Sequence, residues 1–345
     1  LVRMERDRDF LRTRENFFFC VVGYAHPPGR VLAYLKYVPS SAGRWGKRGK
    51  FHRILSRYDA AAVADTFKFL RKYPKYLYYS DVYGIVFSAV PGSEIESRYY
   101  PEVKVAKLLE EKRVDPLQEK ALSLISLLSR ESGVPLRRFG VTGSILIDIH
   151  NPSFSDVDLT VYGRRYAVRV KEAILSLRGR DVKTFTGRAA EEWVRKKEGV
   201  FQLSKKQARK ILERKWNIGF YRGTRFSIHP VRIDEEIDEK YGDRVFRKVG
   251  MCTIKATISS SKDAIFLPCK YEVEDVTILE GDCPGEIKEV VSYEGLFCDI
   301  AEEGERVRVH GKLERVKGRG EEYYRVVVGS QEANARDYIH LEDAT

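Results

Sequence analysis

Cysteine is scarce in this 345-residue chain: there are five, Cys20, Cys252, Cys269, Cys283 and Cys298, odd in number and far apart. None forms a CxxC pair or stands near a histidine pair, which excludes a zinc ribbon or finger and leaves core thiols as the reading. The apolar residues, 43% of the chain, come in short groups, and no run is long enough to cross a bilayer. Residues 1–10 are charged and lack the apolar core of a secretory signal, so the expected compartment is the cytosol. Gln and Asn are few while Lys, Arg and Glu abound, a balance that hyperthermophile proteins favour, and a thermophile source is the expectation. There is no internal repeat and no low-complexity tract.

What is present is a long, basic, multidomain sequence. A single core usually serves about 100 to 200 residues, so two or three domains are expected. Lys and Arg (62) outnumber Asp and Glu (50), giving a net charge of +12. A field of that sign attracts polyanions and makes nucleic acid the first partner to test, although surplus cations also serve solubility.

Residues 16–39 read as two strands joined by His26-Pro27-Pro28-Gly29, a β-hairpin, and a helix is expected over 59–73 with Asp59 as N-cap. Strand follows over 76–90, so residues 1–105 form an expected N-terminal α+β domain. Helices are expected over 101–113 and 115–132, the second gathering Leu117, Ala121, Leu124, Ile125 and Leu128 on one face. Strands 136–141 and 157–162, helices 166–177, 188–197 and 204–216, and a hairpin of 218–221 with 224–231 complete a middle domain, 106–245. From 246 to 345 short strands alternate with glycine, proline and acidic turns, which predicts a small β-barrel or sandwich, an OB-like barrel being one candidate.

The chemistry-bearing text lies between Arg138 and Val161. A strand runs into Thr142-Gly143-Ser144, a helix start follows, and Asp156-Val157-Asp158 heads the next strand. Gly143 lets the backbone approach a phosphate without a Cβ in the way, and Ser144 can donate its hydroxyl to the same anion, with Thr142 beside them. Asp156 and Asp158 alternate with Val157, so both carboxylates project from one face and can share a hard cation such as Mg²⁺ through oxygen. Such a set suits an in-line displacement at an α-phosphate.

Over residues 134–231 this order of helix, strand, Gly-Ser and strand-borne Asp-x-Asp resembles the nucleotidyltransferase superfamily of DNA polymerase β, CCA-adding enzymes, poly(A) polymerases and small antibiotic-modifying transferases. It looks most like the archaeal predicted nucleotidyltransferases. The resemblance implies a mixed sheet backed by helices, hence an α+β and α/β multidomain fold around a polymerase β-like core. It also implies a nucleoside triphosphate donor with Mg²⁺ or Mn²⁺. By that match Gly143 and Ser144 take the phosphate role and Asp156 and Asp158 the metal role. The implied reaction transfers a nucleoside monophosphate to an acceptor hydroxyl, with RNA the expected acceptor. A non-catalytic nucleic-acid binder, or a transferase for a small molecule or a protein, are the alternatives.

The family's third carboxylate has no evident counterpart. The matching strand, 224–231, offers Ser227 and His229 on its outward face. Asp234 lies just beyond and is a candidate, though Asp234-Glu235-Glu236 also reads as an acidic helix start. His229 is a candidate general base, since an imidazole titrates near neutrality. Two basic elements are candidate nucleic-acid contacts: a helical stripe of Lys206, Lys210 and Arg214, and the segment with Arg44, Trp45, Lys47 and Arg48, where aromatics interleave with cations. Lysines in either element are also candidate triphosphate ligands.

Overall fold

The computed structural model describes residues 3–46, 50–55, 60–330 and 336–343. Strands β1 (Phe10–Thr13), β2 (Phe18–Val21), β3 (Arg30–Pro39) and β4 (Phe51–Arg53) precede helix α1 (Ala60–Leu70) and strands β5 (Leu77–Ser80), β6 (Ile85–Pro91) and β7 (Ile95–Tyr99). Helices α2 (Pro101–Glu110) and α3 (Pro116–Ser132) lead to β8 (Phe139–Val141), the one-turn helix α4 (Gly143–Leu146), β9 (Val157–Tyr162) and α5 (Arg164–Leu177). Then come β10 (Val182–Lys183), α6 (Gly187–Glu198), α7 (Lys205–Arg214), β11 (Ile218–Tyr221) and β12 (Thr224–Val231). The last strands are β13 (Arg244–Ser260), β14 (Cys269–Glu280), β15 (Ile287–Ser292), β16 (Arg306–Gly318), β17 (Glu321–Val328) and β18 (Tyr338–Leu341). Helices and sheets mix throughout, as expected of a multidomain α+β chain. None of these helices is long and apolar enough to cross a membrane.

The chain divides into two compact units, each assembled from three stretches. One comprises Leu1–Ser56, Ser88–Phe185 and Trp216–Asp238; the other comprises Arg57–Phe87, Thr186–Lys215 and Glu239–Thr345. The segments 1–105, 106–245 and 246–345 read from sequence are thus interleaved, because contacts between distant stretches leave no mark on local composition.

In the first unit the expected hairpin of β2 and β3 is antiparallel, with Cys20 opposite Tyr34, and the sheet continues to β1 and β7 on one side and to the end of β6 on the other. The second sheet has the order β10-β11-β12-β9-β8. It is mixed: β12 and β9 run parallel, while their outer neighbours run antiparallel. Strand β9 alternates as a half-buried strand should, sending Val157, Leu159 and Val161 into the core. Helices α3 and α5 pack on this strand.

Helix α3 begins where its sequence dictates. Asp115 caps it, accepting the backbone N–H of Leu117 and Gln118 while the Gln118 side chain returns to the Asp115 N–H, and Pro116 occupies the first turn. Gly133, at φ 63°, ends it in the left-handed conformation. The expected strand over 136–141 is shorter, since Leu136–Arg138 forms a single 3-10 turn after Pro135.

In the second unit the β-rich segment is a closed ring. The order β13-β14-β15-β17-β16 returns to β13, the β15–β17 pair is parallel and the rest are antiparallel, and β18 adds to β16. Closure removes the exposed edges that an open sheet would present. Its interior is filled by residues such as Ile254, Phe266, Tyr271, Val290, Val309 and Val326.

Candidate active site

The Gly-Ser turn and the Asp-x-Asp strand meet in the first unit. Thr142 is held by two hydrogen bonds: its N–H donates to the Asp158 carbonyl at 2.9 Å, and its Oγ1 donates to the Arg8 carbonyl at 2.8 Å. The next residue, Gly143, has φ 66°, a conformation open to glycine at little cost. A Cβ built there would stand 2.5 Å from Asp158 Oδ2, so the carboxylate lies directly against the glycine Cα. Glycine is required at this position twice over, by its backbone and by its neighbour. Ser144 is buried in the same turn and its carbonyl accepts the Ile149 N–H at 3.1 Å.

The register of the parallel strands sets what faces Asp158. Ser227 of β12 is its partner across the sheet and His229 stands opposite Thr160. Ser227 Oγ donates to Asp158 Oδ1 at 2.5 Å, and His229 Nε2 lies 2.8 Å from the same Oγ. A serine hydroxyl has one proton. With that proton directed to the carboxylate, the contact with His229 needs a proton on Nε2, which donates to Oγ. His229 therefore orients Ser227, and Nε2 has no lone pair to offer an acceptor hydroxyl in this arrangement.

Asp156 lies at the head of β9 with its side chain exposed. Enclosure by surrounding chain and then the like charge of Asp158 push its carboxyl above the ordinary value, with Arg225 and Arg53 pulling the other way. Two acidic groups and two guanidinium groups are thus within electrostatic reach of one another.

Among the described residues no three His, Cys, Asp or Glu side chains converge as a metal-binding group. Two carboxylates do fit one Mg²⁺, which is ordinarily held by one or two acids and completed by water and phosphate oxygens. They do not fit a cage made of protein ligands alone. Asp234 does not supply a third. It sits in the 3-10 turn Asp234–Glu236 beyond the C-terminal end of β12 and pairs with Arg6, Nη2 to Oδ1 at 2.7 Å. Because β12 and β9 are parallel, that end pairs with Tyr162, four residues or about 13 Å along from Asp158.

The two basic elements behave differently. Arg44 is exposed with its guanidinium 4.8 Å from the centre of the Phe154 ring, and Trp45 meets the same ring edge-on at 5.5 Å. Gly46 N–H donates to the Ile149 carbonyl at 2.7 Å, fixing this segment to the loop that leads to Asp156. Lys47 and Arg48 lie outside the described residues. The cations of the helical stripe are paired within the second unit. Lys206 pairs with Asp343 at 2.7 Å, Lys210 pairs with the same carboxylate, and Arg214 pairs with Glu305 at 2.6 Å. Gln207 exchanges hydrogen bonds with the Leu341 backbone, so this face seats α7 on β18.

Nothing in the sequence marks the contact of Arg8 with the Gly-Ser turn: it stands in a run of alternating charges beside Arg6 and Asp7.

Comparison with known proteins shows a similarity along nearly the whole chain. It is 29% identical over 343 residues to the uncharacterized protein MJ1086 of Methanocaldococcus jannaschii, spanning 98% of this chain and 99% of that protein. No family model matches the chain, and no solved structure matches it. The functional reading therefore rests on the geometry of the site.

Proposed function

We propose that the first unit is a Mg²⁺- or Mn²⁺-dependent nucleotidyltransferase that moves a nucleoside monophosphate from a triphosphate to an acceptor hydroxyl and releases pyrophosphate. One observation carries the reading: the Asp158 carboxylate lies against Gly143 at the Gly-Ser turn, with Asp156 two residues earlier, just before the same strand begins. Asp156 and Asp158 would hold a single cation, and the chemistry it supplies is neutralisation of charge at the phosphates. Gly143 makes room for the Asp158 carboxylate at the turn where the triphosphate would bind. Ser227 fixes the rotamer of Asp158, so that Oδ1 is occupied and Oδ2 faces the turn. His229 holds Ser227 in place.

RNA is the acceptor we favour. The net charge of +12 suits a polyanion. The exposed Arg44 and Phe154 with Trp45 form a cationic, aromatic platform two residues before Asp156, the mixture on which unstacked bases settle. Incubation with labelled triphosphates, either cation and mixed RNA, DNA and small acceptors should give label transfer that Asp156→Ala with Asp158→Ala abolishes. Transfer undiminished in the double variant would remove the site.

A second reading has its own support. Ser227 stands where a third acid would complete the metal group, and the closed five-stranded ring of the second unit is the architecture of OB barrels that bind nucleic acid. A protein with the transferase fold that binds nucleic acid without turnover would show salt-sensitive RNA binding and no label transfer.

A further inference from the structure

Arg8 sits at the Gly-Ser turn with features that a structural arginine does not explain. Its backbone is at φ 73°, a conformation that residues other than glycine adopt at a cost and that concentrates at functional sites. That backbone is pinned on both sides: its N–H donates to the Val21 carbonyl at 3.1 Å, and its carbonyl accepts Thr142 Oγ1 at 2.8 Å. Thr142 also bonds the Asp158 carbonyl, so one residue ties Arg8 to the carboxylate strand and precedes Gly143.

The guanidinium is mostly enclosed, with its side chain 15% exposed, yet it is poorly satisfied. Its close acid is Asp7, Nε to Oδ2 at 3.2 Å, but among the described residues Nε reaches no acceptor in hydrogen-bonding geometry. Neither Nη donates to a protein acceptor among those residues. Asp7 itself is buried, with Oδ1 accepting the Gly23 N–H at 3.2 Å and Oδ2 left without a hydrogen bond. Nε is thus the buried donor without a partner, while the Nη groups are not enclosed and are open to water or to an anion.

We infer that Arg8 is the polyphosphate ligand of this site, its planar fork taking phosphate oxygens beside the Gly143 turn while Asp158 holds the cation that accompanies them. The inference rests on the proposed function only for the nature of the anion. The backbone tether holds Arg8 at the turn, and its guanidinium is within electrostatic reach of both Asp7 and Asp158.

Titration calorimetry of the full chain with inorganic tripolyphosphate at saturating Mg²⁺ tests it. Wild type is expected to bind. Arg8→Lys keeps a charge but loses the fork, and should weaken binding by about tenfold or more. Asp7→Asn combined with Arg8→Met removes both members of the buried pair, leaves no uncompensated carboxylate, and should abolish binding with the circular-dichroism melt retained. Binding by either folded variant within about twofold of wild type overturns the inference, and so does absence of binding by wild type. Label transfer separates this result from the function. Arg8-dependent tripolyphosphate binding by a protein that transfers no label keeps the anion site and removes the enzyme. Transfer by Arg8→Lys with an unchanged KM for the triphosphate does the reverse.

Discussion

Replacing Gly143 by alanine perturbs the candidate site at its narrowest point. The new Cβ would stand 2.5 Å from Asp158 Oδ2, whereas ordinary contact begins at 3.4 Å. The carboxylate must therefore retreat by about 0.9 Å, a misplacement of the size that costs about 100-fold when a reacting group is displaced. The backbone contributes separately, because alanine at φ 66° costs about 1 kcal/mol. Gly29 provides the control: it has φ 71° and nothing within 4 Å of its hypothetical Cβ. Gly29→Ala should lose about 1 kcal/mol in urea denaturation, and Gly143→Ala at least as much, since it adds the displacement of Asp158. Only Gly143→Ala should lose Mn²⁺ affinity, measured by electron paramagnetic resonance of free Mn²⁺, and label transfer, each by about 100-fold. Equal Mn²⁺ affinity in the two variants would refute the placement of Asp158 as a ligand beside the turn.

Three further outcomes follow from the same geometry. Ser227→Ala removes the hydroxyl that fixes Asp158 and should lower Mn²⁺ affinity about 10- to 100-fold; His229→Gln, which keeps an N–H donor to Ser227, should retain more affinity than His229→Ala. Asp343 is fully exposed, but hydrogen bonds from Lys206 and then Lys210 hold its carboxyl at about 2, below its ordinary 3.8. Its folded value is depressed, so its stabilisation is present above 3.8 and lost as pH falls towards 2; thermal melts of wild type and Asp343→Asn should differ at neutral pH and converge near pH 2, and a constant difference would contradict the pairing. Because the α7 cations are already engaged, Lys206→Ala with Lys210→Ala should leave RNA affinity and its salt slope unchanged in filter binding, whereas loss of affinity would return that face to the nucleic-acid interface.

Much of the local structure was legible because local chemistry determines it. Asp115-Pro116 and Gly133 bound α3 at the residues where cap and terminator stand, and the alternation of Val157, Leu159 and Val161 with polar residues gives β9 its bounds. The proximity of Gly143 to Asp158 was expected from the motif and is found. Pairing across distance was legible only through the resemblance, which put Ser227 and His229 on the strand facing the site; the hydrogen bond from Ser227 to Asp158 joins positions 69 residues apart, and the tether from Thr142 to Arg8, which nothing in the sequence marked, joins positions 134 apart. The stripe of Lys206, Lys210 and Arg214 looked like a free cationic face because Asp343 and Glu305, which pair with it, are far along the chain. Periodicity identifies a helix face but carries no information about what covers it.

The electrostatics of the site bear on how its ligands would bind. Asp156 feels Asp158, Arg225 and Arg53, and Arg8 feels Asp7 and Asp158, so three carboxylates are met by three guanidinium groups. Charges of both signs therefore act on a divalent cation and on a polyphosphate here. Each would find attraction from one set of charges offset by repulsion from the other. Once the cation is between the carboxylates, the local balance turns positive and the anion gains; once the anion lies on the guanidinium groups, the cation gains by the same amount, since coupling between two ligands is reciprocal. The informative quantity is the factor by which tripolyphosphate tightens Mn²⁺ and Mn²⁺ tightens tripolyphosphate, which must agree, and which Arg8→Lys should reduce while leaving the carboxylates in place.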